Sequence, residues 1–366
     1  MKILMILSSP DKTGMTTHTL DLSVALVKLG HQVTILTSID KPCNNEQDFF
    51  LKKFSGNNIH VITFLRRKKL IGQIVSTIQF LNVIARRWDI IHVQSPYYSF
   101  MPWLLHKRFV STLHVNDLVP CFYYKNATHL IAISKETKKY AKTVFGYQDQ
   151  KITIINHGVS PRFAAVLTRD ESDSIKKRLK LPLDKIIVGL VASIEKRKGH
   201  DLLLKAVNNL PLDIKSKAHI VFVGSSKDGK TNGWLQNLIN QYGEKRVSWF
   251  PYQDPELYYK IFDIFVLPSR LEGFPLVVPE AMLSGCCVVR SNTEGASEQI
   301  DSGINGFIFK NEDVEQLTDI LQQIIQDTSL RQHLAQAGKE KALVEFTSEV
   351  MAKKTLAVYN KVIHEK

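Results

Sequence analysis

One stretch, from Ile264 to Val289, constrains the fold more than any other part of the chain. Its first four residues are apolar and predict a buried strand, which a proline ends at position 268. A second proline, Pro279, is tolerated in the first turn of a helix, and Gly285 is a typical helix end. The stretch therefore predicts a strand, a loop and a short helix, the repeating step of an α/β domain.

Two carboxylates frame the loop of this stretch. Glu272 follows the strand, and Glu280 lies in the first turn of the predicted helix. Backbone N–H groups at such a helix start, here those available within residues 274–277, bind phosphate oxygens readily. Carboxylates accept hydrogen bonds from sugar hydroxyls, so the pattern predicts a site for a ligand with phosphates and hydroxyls. A helix-capping Glu280 and a solvated Glu272 would explain the spacing equally well.

The length and the cysteines limit the class of protein. A chain of 366 residues is long enough for two domains. Residues 1–10 hold too short an apolar run for a signal peptide, and no run approaches the roughly 20 apolar residues that span a bilayer. The cysteines form no Cys-x-x-Cys pair, which predicts a reducing, cytoplasmic location and no zinc site. They are Cys43, Cys121, Cys286 and Cys287.

The charge is concentrated in the first half of the chain. Residues 1–164 contain 21 Lys and Arg against 9 Asp and Glu, a net charge of +12, and the remainder carries +1. Such an excess indicates an anionic partner, either a nucleic acid or a membrane surface. Nucleic-acid binding is disfavoured because the basic half lacks interleaved aromatic residues and any known module. The partner predicted is therefore an anionic membrane surface and no nucleic acid.

A predicted helix over residues 70–85 has basic clusters at both ends. Its apolar residues fall on one helical face, which favours an ordinary amphipathic helix packed on the sheet. The alternative is that the basic ends contact anionic lipid. The residues of that face are Ile71, Ile74, Val75, Ile78, Leu81 and Ala85.

Strands and helices alternate along the chain, which predicts parallel sheets. The first loop, at residues 8–15, contains Gly14 but no Gly-x-Gly-x-x-Gly, so a dinucleotide site is not indicated. The pattern stops in a charged stretch and restarts at residue 186. We predict a basic N-terminal domain over 1–164, a linker over 165–184, a second domain over 185–346 and a final helix over 347–366.

Glu-Gly-Phe-Pro-Leu-x-x-x-Glu-Ala-Met, after a strand that ends in Pro-Ser, resembles the Glu-x7-Glu motif of the family 4 retaining glycosyltransferases. The resemblance implies the GT-B fold, an α/β fold of two facing Rossmann-like domains with a C-terminal helix crossing back to the first. In that family, the glycine of the first loop, here Gly14, lies near the donor phosphates. The Thr-x-His at a strand end, here His114, contacts the transferred sugar. Asn156 and Gly158 match the family's Asn-x-Gly before the hinge.

The second half carries the donor site that the resemblance implies. Lys198, in a Lys-Gly pair, would neutralise the donor diphosphate, which develops charge as it leaves. The family's Gly-Arg-Leu is Ala-Ser-Ile here, with Ser193 in place of the phosphate-binding arginine, and Arg197 is the candidate substitute. Glu272 would hold the sugar hydroxyls and Glu280 the ribose diol. The remaining predicted donor contacts are Gly273, Phe274, Pro275 and Leu276.

Gly224–Thr231 matches the Walker A pattern Gly-x4-Gly-Lys-Thr and would make Lys230 a phosphate ligand of a P-loop NTPase. We disfavour this alternative because Asn232 and Gly233 predict an interrupted helix and because no convincing magnesium-binding aspartate follows a strand. Asp263 follows too short an apolar run. A GT-B nucleotide-sugar epimerase is a second alternative.

The function predicted is a metal-independent retaining hexosyltransferase with His114, Glu272 and Lys198 as catalytic residues. Its donor would be a nucleotide-sugar, with UDP as the preferred nucleotide. Its acceptor would be a saccharide, lipid-linked or part of a surface polysaccharide, at the inner face of the plasma membrane. No cofactor is predicted, since the nucleotide-sugar is a substrate. No Asp-x-Asp occurs in the sequence, which is the basis for expecting no metal.

Overall fold

The computed structural model describes residues 1–66, 70–226, 231–243 and 246–365. It divides into two compact units. Unit 1 comprises Met1–Val159 and Thr347–Lys366, and unit 2 comprises Ser160–Phe346. Unit 1 contains 24 Lys and Arg against 11 Asp and Glu, so the whole net charge of +13 belongs to this unit.

Unit 1 is built on a parallel sheet of seven strands in the order β3-β2-β1-β4-β5-β6-β7. The strands are β1 (Lys2–Leu7), β2 (Gln32–Ile39), β3 (His60–Leu65), β4 (Ile90–Val93), β5 (Phe109–Leu113), β6 (His129–Ala132) and β7 (Ile152–Ile154). The helices between them are α1 (Gly14–Lys28), α2 (Asn45–Gly56), α3 (Leu70–Ala85), α4 (Phe100–Leu104) and α5 (Lys135–Phe145). The strand order reverses between β1 and β4, which is the position where open α/β sheets bind ligands.

Unit 2 has a parallel sheet of six strands in the order β10-β9-β8-β11-β12-β13. The strands are β8 (Ile186–Val191), β9 (Ala218–Val223), β10 (Val247–Phe250), β11 (Ile264–Leu267), β12 (Cys287–Ser291) and β13 (Phe307–Phe309). The helices are α6 (Arg169–Arg178), α7 (His200–Asn209), α8 (Leu212–Lys215), α9 (Thr231–Tyr242), α10 (Glu256–Tyr259), α11 (Val277–Leu283), α12 (Ala296–Gln299), α13 (Val314–Gln326) and α14 (Thr328–Glu345). Apolar runs such as that of β11 are buried on both faces of the sheet, as is usual for parallel strands.

The last helix, α15 (Ser348–His364), belongs to unit 1. It packs against α1, and its Tyr359 is fully buried. The Tyr359 hydroxyl lies 2.6 Å from Nδ1 of His92 on β4. The predicted fold class, an α/β fold of two Rossmann-like domains with a C-terminal helix returning to the first, is therefore confirmed.

The boundary between the units lies earlier than the predicted end of the first domain at residue 164. Residues 160–184, including all of the predicted linker, are part of unit 2. Arg162 forms an ion pair with Asp254 at 2.7 Å, and the Phe163 ring packs edge-on against Tyr259. The charged composition of residues 165–184 reflects the exposed helix α6, whose capping box is formed by Thr168 and Glu171.

The orientation of α3 differs from the favoured prediction. Ile71, Ile74 and Ile78 were expected to pack on the sheet, but they are 78%, 51% and 52% exposed. The helix packs instead through Ser76, Phe80, Val83 and Ile84. Both sides of this helix are apolar, and periodicity alone does not identify the packed side. Arg86 and Arg87 at its end are exposed, and Arg67, Lys68 and Lys69 lie outside the described residues.

Within the described ranges, every helix is too short or too polar to cross a lipid bilayer. The four cysteines are free, with Cys43 and Cys121 exposed and Cys286 and Cys287 buried.

Candidate active site

Glu272 lies on the loop that follows β11, as predicted, and its carboxylate is paired. The Lys198 ammonium contacts Glu272 Oε1 directly, and the Arg197 guanidinium lies 3.9 Å from the same oxygen. The Glu272 side chain is 9% exposed and that of Lys198 is 15% exposed. The structure thus brings together three of the residues that the sequence assigned to the donor, and two of them are cations beside one carboxylate.

The turn that carries the two cations is held by unit 2 itself. Lys196–Lys198 form one turn of 3₁₀ helix after β8, and Gly199 follows with φ of +74°. A side chain at Gly199 would collide with the carbonyl of Pro268 at the end of β11, in addition to the strain of its backbone conformation. Glycine at this position therefore allows the turn of Lys196–Lys198, called the lysine turn below, to lie against the loop of Glu272.

Arg270, which no sequence motif indicated, also anchors this turn. Its guanidinium makes two hydrogen bonds of 3.0 and 2.9 Å to the carboxylate of Asp201 on α7, and a third of 2.8 Å to Glu312. It also donates to the carbonyl of Lys196 at 2.6 Å, and its own N–H donates to the carbonyl of Arg197. Burial acts to raise the pKa of Asp201, but the hydrogen bonds and charge of Arg270 outweigh it and the pKa is lowered.

Glu280 is on α11, as predicted, but its carboxyl group is buried and 6% exposed. The Tyr259 hydroxyl donates to its Oε2 at 2.9 Å. Burial raises the pKa of Glu280 to about 7, although the Tyr259 hydrogen bond and the positive charge of Arg162 act in the opposite direction. The group therefore changes its charge near neutral pH, and one of its oxygens already has a hydrogen-bond donor.

The backbone between the two glutamates is fixed by a buried arginine that sequence analysis also missed. Arg290 on β12 is fully buried and donates to Gln299 on α12, whose amide donates in turn to the carbonyl of Pro275 at 3.0 Å. Phe274 and Leu276 on either side of Pro275 are buried. A charged residue inside an apolar strand was the available signal, but the partner that explains it is set by the fold.

In unit 1, His114 follows β5 and lies beside two other histidines, His18 on α1 and His157 after β7. Its Nε2 is 2.9 Å from Oε1 of Gln94. The sequence predicts no role for His18 or His157, because their positions in the chain form no motif. The predicted contact of His114 with a sugar stays a prediction.

The other predicted residues of unit 1 have structural contacts. Gly14 is the exposed first residue of α1, after the capping Thr13, rather than part of the preceding loop. The Asn156 amide donates to the carbonyl of Ile133 at 2.9 Å. At Gly158, an added Cβ would lie 2.7 Å from the carbonyl carbon of Thr347, so glycine lets the chain pass close to the start of α15.

The Walker A match lies partly outside the described residues, since 227–230, with Lys230, are not among them. The predicted interruption of the helix at Asn232 and Gly233 is wrong, because α9 begins at Thr231 and continues through Gly233. The carboxylate of Asp263, the candidate magnesium ligand, accepts a hydrogen bond of 2.8 Å from the N–H of Ile187 on β8. Asp263 therefore links two strands.

Two family models match the chain. The model described as Glycosyl transferases group 1 matches residues 171–341, and the model described as Glycosyltransferase Family 4 matches residues 12–163. Together they extend over nearly all of both units.

Curated relatives and solved structures agree with these matches. The capsular polysaccharide biosynthesis glycosyltransferase CapM of Staphylococcus aureus is 27% identical over 248 residues, which are 65% of this chain and 63% of CapM. The N,N'-diacetylbacillosaminyl-diphospho-undecaprenol alpha-1,3-N-acetylgalactosaminyltransferase of Campylobacter jejuni is 26% identical over 66% of this chain and 62% of its own length. This chain therefore spans less than two thirds of either relative. The crystal structure of Anabaena HepE with UDP and glucose matches 99% of this chain and 100% of HepE, with a TM-score of 0.84 and 18% identity.

Proposed function

Because the chain belongs to the group 1, or family 4, glycosyltransferases, we propose that it transfers a hexosyl group from a UDP-sugar to a saccharide acceptor with retention of configuration. The observation that carries this proposal is the contact of Lys198 and Arg197 with Glu272 at the strand ends of unit 2. Two cations beside one carboxylate are the groups needed for a ligand that has both phosphates and hydroxyls.

The two cations supply the stabilisation that the leaving group requires. Negative charge develops on the diphosphate as the bond to the sugar breaks, and fixed positive charges lower the energy of that state. When the donor binds, the phosphate oxygens replace Glu272 as partners of Lys198. The carboxylate of Glu272 is then available to accept hydrogen bonds from the sugar hydroxyls. Since Lys198 and Arg197 supply the charge, the proposed reaction needs no metal ion.

Glu280 is the proposed partner of the ribose diol. Its Oε2 accepts a hydrogen bond from Tyr259, which leaves the second oxygen for a ribose hydroxyl. The loop of Phe274, Pro275 and Leu276, held by Gln299, is the proposed boundary of the phosphate site. UDP is preferred as the nucleotide because HepE, which has the same fold, binds UDP in its crystal structure.

We further propose that the acceptor is a saccharide on a lipid carrier and that unit 1 binds an anionic membrane surface. The Campylobacter relative is named for a diphospho-undecaprenol substrate, and CapM for capsular polysaccharide biosynthesis. The exposed isoleucines of α3 and the exposed Arg86 and Arg87 lie on the unit that carries the net charge of +13. An apolar helix face flanked by basic residues inserts at the boundary between headgroups and acyl chains of anionic lipid.

A ligand-stabilisation experiment tests the proposed donor. The melting temperature is measured with UDP, GDP, ADP, ATP and UDP-sugars, each with EDTA or with magnesium. We expect UDP and a UDP-sugar to raise it in EDTA, and Glu280→Ala to remove the effect. If only ATP or GTP stabilises the protein, only in the presence of magnesium, and Lys230→Ala removes this effect, the P-loop alternative is favoured.

A turnover experiment tests the proposed reaction. UDP release from the stabilising UDP-sugar is measured with a lipid extract as acceptor. Glu272→Ala is expected to abolish UDP release while the protein stays folded, and exposed Glu345→Ala is the control variant. Unchanged turnover in Glu272→Ala would exclude the proposed role of Glu272. Release of free sugar in the absence of any acceptor would favour the epimerase alternative.

A further inference from the structure

Three histidines from separate parts of the chain converge inside unit 1. One ring nitrogen of each of His18, His114 and His157 lies within 4.8 Å of the others. The ring centroids are 4.9 Å apart for His18 and His114, and 4.3 Å apart for His18 and His157. We propose that these three imidazoles bind one divalent transition-metal ion of the zinc type, with a water molecule or a ligand as its fourth partner. Three neutral imidazoles and an open position are an established zinc donor set.

The orientation of His114 fits a metal ligand. Its Nε2 lies 2.9 Å from Oε1 of Gln94, which can only accept a hydrogen bond, so Nε2 carries the proton. The lone pair of His114 is therefore on Nδ1, which lies 3.5 Å from Nε2 of His157. Two nitrogen ligands at about 2.05 Å from one tetrahedral ion lie about 3.4 Å apart. A fixed outer hydrogen bond of this kind is the usual support of a metal-binding histidine.

Gln94 is itself held in place. Its amide nitrogen lies 3.3 Å from both ring nitrogens of His92. His92 in turn contacts Thr112 at 2.7 Å and Tyr359 at 2.6 Å. This buried network runs from β4 to α15 and fixes the acceptor oxygen that determines which nitrogen of His114 carries the lone pair.

His18 is the least satisfied of the three histidines. It is 4% exposed, and within the described ranges neither of its ring nitrogens has a hydrogen-bond partner. Buried polar atoms of this kind are rare, and each calls for a partner such as an ion. A metal ion bound by the three histidines would be that partner.

The consequence for activity rests on the proposed function. If His114 contacts the transferred sugar, a metal ion on its Nδ1 competes with that contact. The site is therefore an inhibitory one, and a chelator that removes the ion restores transfer. The binding itself does not depend on the glycosyltransferase proposal, so the two can fail separately.

The test is metal binding by the full chain, without donor or acceptor. Chelator-treated protein is titrated with Co²⁺ and followed by visible absorption, and with Zn²⁺ by calorimetry. We expect one equivalent to bind with the intense visible bands of four-coordinate cobalt. His18→Asn and His157→Asn are each expected to weaken binding at least 100-fold. His333→Asn, which changes an exposed histidine of unit 2, is expected to leave it unchanged.

Circular dichroism and melting curves show whether each variant is folded, and two variants are used so that one misfolded protein does not decide the result. Absence of binding to wild-type protein at 100 μM Zn²⁺, or equal binding by both folded variants and wild type, would overturn the proposal. If Zn²⁺ binds at this site but UDP release is unaffected, the metal site stands and its inhibitory role is excluded.

Discussion

At the scale of the residue, Glu280 shows how the fold changes the chemistry of a side chain. The sequence places it at a helix start, where a carboxylate is normally stabilised. The structure buries it beside Tyr259, and its pKa rises to about 7. The position of Glu280 in a helix was predictable from Pro279 and Gly285, but its burial depends on residues such as Tyr259, which only the fold brings near.

The raised pKa of Glu280 predicts a pH-dependent stability. Between pH 4.5 and about 7 the folded protein keeps a proton that the unfolded chain has lost, so the free energy of unfolding falls as pH rises. A shift of this size corresponds to roughly 3 kcal/mol. Glu280→Gln cannot titrate, so wild type should lose that amount relative to the variant between pH 4.5 and 8. Urea unfolding of both proteins across this range measures it, and a constant difference would contradict the assigned pKa.

Lys198 and Glu272 were predicted as donor residues from their motifs, and the structure puts them in contact. Arg270 and Arg290 were not predicted. The partners of Arg270 are Asp201 and Glu312, and neither partner is adjacent in the sequence. Motifs identify groups that contact a ligand, whereas the groups that hold them are specified by packing.

At the scale of the element, the lysine turn at 196–198 depends on Arg270. Arg270→Ala removes both hydrogen bonds to Asp201 and leaves a half-buried carboxylate without them, which should cost about 2 kcal/mol of stability. Because the turn then loses its anchor at Lys196, the KM for the UDP-sugar should rise about tenfold. Glu312→Gln removes only an exposed partner and should leave KM unchanged. Steady-state UDP release measures the KM of each variant. Equal KM values for the two variants would contradict the proposed role of Arg270 in holding this turn.

Helix α3 was predicted, but the wrong side of it was expected to pack on the sheet. The sequence contains apolar residues around most of this helix, and the packed residues include Ser76, which donates to the carbonyl of Leu65. Helical periodicity gives the spacing of a face. It does not say which of two apolar faces the neighbouring strand will cover.

This helix predicts the behaviour of the protein on membranes. Ile71→Asp combined with Ile78→Asp should reduce co-sedimentation with vesicles of phosphatidylglycerol at least fivefold, because charged residues replace the inserting side chains. Both positions are exposed, so the melting temperature should change little. Leu212→Asp on unit 2 alters an equally exposed apolar residue and serves as the control. Wild-type protein that fails to sediment at low salt, or a double variant that sediments equally, would contradict the membrane proposal.

At the scale of the whole molecule, alternation of strands and helices was enough to predict two parallel sheets, and the returning helix followed from the family resemblance. The division at residue 160 was not predictable, because it depends on the contacts of Arg162 and Phe163 within unit 2. The charge asymmetry was visible in the sequence. When residues 347–366 are counted with unit 1, the whole net charge lies in that unit, since unit 2 then contains 24 basic and 24 acidic residues.

The return of α15 to unit 1 has a consequence for biosynthesis. A ribosome makes residues 1–159 first, then all of unit 2, and only afterwards the helix that supplies Tyr359 to the core of unit 1. The first sheet therefore waits, with the surface for α15 uncovered, while an entire second domain is translated. During that interval the nascent chain exposes the apolar surface that α15 covers in the folded unit to chaperones and to other chains, until residues 347–366 emerge and close it.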